Sequence, residues 1–129
     1  LVESGRTERL ELQFDITAVS GEKSMLDVFR VLLQTASKLQ QRSYSRVLLS
    51  CKGKTKFILQ GADFAVIGRD YGAQNPVYTS RTFPEKLARP DGSKAFPTWT
   101  GGLIGVTGKQ AEDTVEMHRQ WWIGDLFGQ

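Results

Sequence analysis

Residues 10–39 read LELQFDITAVSGEKSMLDVFRVLLQTASKL, and the change of period inside this stretch decides the fold. Leu10, Leu12, Phe14, Ile16 and Ala18 fall on one face of the first nine residues, with Glu11, Gln13, Asp15 and Thr17 on the other. A period of two is that of a strand with one buried and one wet face. Ser20-Gly21 interrupts it. From Met25 the apolar residues recur at helical spacing: Met25, Phe29, Leu32, Ala36 and Leu39, widened by Leu26, Val28 and Leu33. Arg30, Gln34, Ser37, Lys38 and Gln41 occupy the opposite face. Ser24 is placed to cap this helix, and the Asp27 carboxylate lies in the first turn, where free amides and the helix dipole favour it.

Working outward, residues 46–51 and 55–60 read as a second and a third strand. Lys52-Gly53-Lys54 between them is short enough for a hairpin turn with glycine at positive φ. Residues 62–71 form a short helix with Phe64, Ile67 and Tyr71 on one face, Asp63 in the first turn and Gly72 as its stop. Pro76, Pro84, Pro90 and Pro97 then break the pattern. Residues 77–83 are expected as a fourth strand near an edge, Pro90-Asp91-Gly92 as a turn, and the remainder as an ordered irregular loop. Residues 109–123 are the last helix, opened by a capping box from Thr107 to Gln110. Ala111, Val115, His118 and Trp122 make its stripe, and Gly124 ends it. Toward the other terminus, residues 1–8 are expected to be a trimmed or flexible segment, since the chain opens on Leu1 and not methionine. The expected fold is a single α+β domain over residues 1–129. It has a small, mostly antiparallel sheet of three to four strands, two main helices packed on one face and a long Pro/Gly-rich loop.

The bulk composition agrees with a globular domain. At 129 residues, 40% hydrophobic and 24% charged, the chain is neither disordered nor a rod nor a disulfide scaffold. No apolar run reaches the ~18 residues of a membrane span. One cysteine, Cys51, excludes an intrachain disulfide and leaves the compartment open. The net charge of +3 is a weak field, but its distribution is uneven. Between Asp27 and Asp63 there is no acidic residue, while Arg30, Lys38, Arg42, Arg46, Lys52, Lys54 and Lys56 all lie there.

Several chemistries fail on these residues. The glycine run at 101, 102, 105 and 108 before Lys109 has neither the phosphate-loop nor the dinucleotide spacing, and Glu112 and Asp113 follow it. It reads as a connector entering a capped helix. With one histidine, His118, and one cysteine, zinc sites of the usual kind are excluded, and no cofactor or metal is expected. A serine triad finds no Gly-x-Ser-x-Gly elbow. An enzyme using Cys51 or His118 needs one of them accessible in a cleft, and no signature surrounds either.

Two binding readings remain. The segment from Tyr71 to Trp99 collects Tyr71, Tyr78, Arg81, Phe83, Arg89, Phe96 and Trp99, residue types that dominate protein interfaces and also staple irregular segments to a small core. The leading expectation is a non-catalytic interaction domain that holds a protein partner through Tyr71, Tyr78, Arg81, Phe83, Arg89 and Trp99 and the adjacent sheet edge. The alternative is an anionic ligand, nucleic acid or other polyanion bound by Lys38, Arg42, Lys52, Lys54 and Lys56, should helix and hairpin lie side by side.

Overall fold

The structure, a computed structural model, describes residues 2–6, 9–39, 41–73 and 80–128. Among the described residues five strands form one sheet in the order β1-β2-β3-β4-β5: β1 Val2–Arg6, β2 Arg9–Ile16, β3 Arg46–Cys51, β4 Lys54–Gln60 and β5 Leu87–Ala88. β1 lies in the stretch expected to be trimmed or flexible and pairs antiparallel with β2. The alternation of residues 10–16 is realised in β2, whose Leu12, Phe14 and Ile16 are buried while Glu11, Gln13 and Asp15 keep partial exposure.

The fold is α+β, but the sheet is mixed and not mostly antiparallel. β2 and β3 run parallel, with Leu12 opposite Val47 and Phe14 opposite Leu49; the β1–β2, β3–β4 and β4–β5 pairs are antiparallel. The cause is α1, Met25–Lys38, which separates β2 from β3. A helix of that length carries the chain back to the end of the sheet where β2 began, so the next strand repeats its direction. The N-terminus of α1 is held as its sequence indicates. Ser24 accepts from the Asp27 amide at 3.4 Å and Asp27 accepts from the Ser24 amide at 2.9 Å, a reciprocal capping box.

The β3–β4 hairpin turns on Lys52 (φ 51°) and Gly53 (φ 81°), a pair of positive dihedrals that matches the twist of the two strands. The Gly53 amide donates to the Asp15 carboxylate at 2.9 Å and so ties the turn to the end of β2. α2, Gly61–Ala73, packs on α1 at close range. A β-carbon on Gly68 would stand 2.4 Å from the Ala36 carbonyl oxygen, and one on Gly61 only 1.6 Å from that of Tyr44.

Where the Pro/Gly-rich loop was expected, short ordered elements appear instead. Residues 80–82 are helical and Phe83–Lys86 form a 3-10 turn, so the described part of the expected fourth strand is helical. Pro84 explains the turn, since its fixed φ and missing amide suit the start of a helix. β5 then pairs with β4, and the Pro90-Asp91-Gly92 turn forms as expected, with Arg89 and Ser93 bonded across it at 2.8 Å. The last helix begins six residues before Lys109. α3 spans Leu103–His118, with Thr107 inside it donating to the Leu103 carbonyl at 2.7 Å. The chain continues through a π turn, Arg119–Ile123, into α4, Gly124–Phe127, and stops at Gly128 (φ 72°). Gly124 therefore does not end the helix.

The core lies where α1, α2 and the end of α3 meet the sheet. Leu12, Phe14, Val47, Leu49, Phe57 and Leu59 face Phe29, Leu32, Leu33 and Ala36 of α1. Trp121 joins them from the π turn. Its ring lies 5.8 Å from Phe14, and its indole N–H donates to the Ser50 carbonyl at 2.9 Å.

Candidate functional site

The residues proposed from sequence to face a partner are spread over several elements, and most are tied to the chain's own interior. Phe83 is buried, 5.0 Å from the Phe29 ring in an edge-on contact. The Tyr71 hydroxyl accepts from Gln34 at 3.5 Å. Arg89 donates to Gln120 at 3.2 Å and to the Ala95 carbonyl at 3.5 Å, with its guanidinium 5.9 Å from the centre of the Phe57 ring. Arg81 is half-buried and engaged within the fold. Tyr78 lies outside the described residues. Trp99 differs. It is half-exposed against the side of α3, donating to Asp113 at 2.7 Å beneath the Lys109 ammonium, 5.5 Å from its ring.

The five basic residues do not form one patch. Lys38 ends α1 and Arg42 follows it at the end of the sheet where β3 begins. Lys52 and Lys54 sit on the hairpin beyond Cys51, a strand length of roughly 17 Å away. Lys56 is ion-paired with Asp125 at 2.8 Å. Arg30 and Arg46, from the same acid-free stretch, pair with Asp27 and Glu11. A joint patch requires helix and hairpin side by side, and the parallel crossover sets them at opposite ends of β3.

Cys51 is fully buried, and burial pushes its thiol up from the ordinary value, away from the thiolate that nucleophilic work needs. Among the described residues no three His, Cys, Asp or Glu side chains gather where they could hold a metal ion, and no helix is long and apolar enough to cross a membrane.

His118 is the buried polar group with the most distinctive setting. It is 1% exposed, packed among Phe29, Trp121 and Trp122 with ring centroids 6.0–6.3 Å away. Burial among these rings lowers its pKa to about 4, so it is neutral at pH 7. The Trp122 indole N–H donates to His118 Nδ1 at 2.9 Å, which places the ring's single proton on Nε2. This pairing depends on the π turn that begins at Arg119. The wide turn lets the adjacent Trp121 and Trp122 both point inward, one to the sheet and one back to His118. Turns of this kind recur at functional sites. Beside His118 lies a cavity of about 290 Å³ walled by Met25, Leu26, Phe29 and Met117, with Ser24, Ser80 and Thr114 around it.

A second unusual feature is the first half of α3. Leu103 is 72% and Ile104 90% exposed. Among the described residues nothing lies within 4 Å of where a β-carbon would stand on Gly102, Gly105 or Gly108. Periodicity alone missed both features. The buried face of α3 is Gln110, Met117 and His118 with Trp121 beyond, and its polar Gln110 hid the true phase of the stripe behind Ala111 and Val115, which are exposed.

No family model, no curated protein and no solved structure matches this chain.

Proposed function

We propose that this chain is a non-catalytic interaction domain that holds a protein partner against the first half of α3, with Trp99 at the edge of the contact. The observation that carries this is the exposure of Leu103 and Ile104, adjacent large aliphatic residues on a helix whose other end buries Met117 and His118. Leaving two such side chains in water forgoes about 1.5–3 kcal/mol each. The glycines support the same reading. Gly105 and Gly108 each weaken an exposed helix by about 1 kcal/mol relative to alanine, and among the described residues nothing comes close enough to require them. A partner's backbone laid along this face is what would need the room. Trp99, half-exposed and fixed by Asp113 and Lys109, supplies a rigid aromatic of the kind that anchors interfaces.

The test is a photo-crosslinking residue at position 104, with exposed position 22 before α1 as control, in cells that make the protein. One defined protein adduct is expected at 104 and none at 22. With that protein purified, Leu103→Ser and Ile104→Ser weaken binding at least tenfold while the unfolding midpoint stays unchanged. No adduct at 104, or full affinity in both serine variants, overturns the proposal.

A further inference from the structure

We propose that the cavity between the start of α1 and the second half of α3 binds a small uncharged organic molecule whose carbonyl oxygen accepts a hydrogen bond from His118 Nε2–H. The site is separate from the α3 surface described above and stands without it.

Size comes first. A dry apolar void of roughly 150 Å³ is enough for benzene. The space here, about 290 Å³, fits a fused bicyclic ring or a short acyl group. Its walls set the character of the occupant: Met25, Leu26, Phe29 and Met117 are apolar, and two of the methionines' neighbours on the rim have already spent their hydroxyls. Ser24 serves the cap of α1 through Asp27, and Thr114 donates to the Gln110 carbonyl at 3.0 Å.

His118 provides the polar contact. Nδ1 is taken by Trp122, which leaves Nε2–H as the donor that His118 can offer at the cavity wall, where solvent reaches it. Water can meet this donor but leaves the apolar walls wetted, and ligand sites of this kind pair a mostly apolar lining with a few placed polar groups. An oxygen carried on an apolar body satisfies the donor and fills the space together. Among the described residues no lysine or arginine lines the cavity, so a charged ligand would lose its hydration without compensation. Leu26, 75% exposed, stands at the rim, and its movement requires no change in the core.

His118 is the sole histidine, so the imidazole of the labelled chain yields one nitrogen–proton spin system. The probes are 1-indanone, the hydrocarbon indane, and indane-1-carboxylate, titrated at pH 7. The ketone is expected to bind saturably, to move the Nε2–H resonance downfield, and to bind about five- to tenfold tighter than indane, the worth of one hydrogen bond. The carboxylate binds more weakly than either. His118→Phe, which keeps the ring and removes the donor, abolishes the preference for ketone over hydrocarbon. Absence of saturable binding by the ketone, equal binding of ketone and hydrocarbon, or an unmoved Nε2–H resonance overturns the proposal. Should the phenylalanine variant fail to fold, the comparison of the three probes on the unaltered chain decides by itself.

Discussion

At the scale of single residues, the buried groups carry predictions whose signs follow from geometry. His118 is protonated near pH 6.5 in an unfolded chain but only near pH 4 in the folded one, because burial disfavours its cation. Between those values the unfolded state binds the extra proton, so stability falls as the pH falls through the window and the loss is complete below about pH 4. From pH 7 to pH 5, above the range in which carboxylates titrate, His118 alone accounts for about 2 kcal/mol of lost stability. Urea unfolding at the two pH values measures this, and His118→Phe is expected to remove most of the difference. An equal loss in that variant would place the proton uptake elsewhere. The glycines divide just as sharply. Gly61→Ala and Gly68→Ala drive a β-carbon onto the carbonyls of Tyr44 and Ala36, main-chain atoms that cannot swing aside. Each is expected to cost about 1–3 kcal/mol, with Gly61 the worse. Gly105→Ala and Gly108→Ala meet open space in a helix and are expected to gain about 0.5–1 kcal/mol each. Denaturant midpoints of the four variants check the division.

At the scale of elements, α3 holds two halves with opposite habits. Its second half and the π turn bury Met117, His118, Trp121 and Trp122, while its first half exposes nearly every side chain. A helix so divided is stabilised by packing at one end only. Amide hydrogen exchange is therefore expected to be fast over residues 103–109, slow over 115–122, and to slow over 103–109 when the partner binds. Uniform protection in the free chain would mean that the first half is already covered. This element also shows how much of the structure was legible in the sequence. Where apolar period and capping agree, as in β2, α1 and β3, the elements appear with nearly the expected bounds, because Ser24, Asp27 and the Leu12–Phe14–Ile16 row act locally. The sequence starts α3 later than the structure does, because Thr107 resembles a cap and the glycines resemble a linker. Its start is fixed by continuity with the buried half, which propensity does not register. The π turn and the cavity have no local signature at all. Both arise from Trp121 reaching Ser50 and from Phe29 meeting His118, contacts 71 and 89 positions apart.

At the scale of the whole molecule, the parallel pairing of β2 with β3 governs where charge accumulates. Because α1 crosses back before β3 starts, the end of the helix and the β3–β4 hairpin fall at opposite ends of the sheet, and the longest acid-free stretch of the sequence is divided. The fold then neutralises part of it locally, through Asp27 on Arg30, Glu11 on Arg46 and Asp125 on Lys56. Asp125, from α4, sits among the hairpin lysines, and the hydrogen bond from Lys56, followed by the charges of Lys56, Lys54 and Lys52, lowers its pKa. A polyanion therefore meets two small separated clusters and not a five-residue patch. Displacing one counterion per phosphate contact gives a slope of about −0.9 per contact in log affinity against log salt, so five cooperating residues would produce about −4.5. The divided arrangement is expected to give a slope near −2 with heparin or a short duplex, and Lys54→Glu should lower it by about one. Asp125→Asn releases Lys56 and should steepen the slope by a similar amount, an effect that a uniform surface of scattered charge would not concentrate at one carboxylate. A slope near −4.5 in the unaltered chain would mean that helix and hairpin act on one ligand together, and the separation imposed by the crossover would then not limit binding.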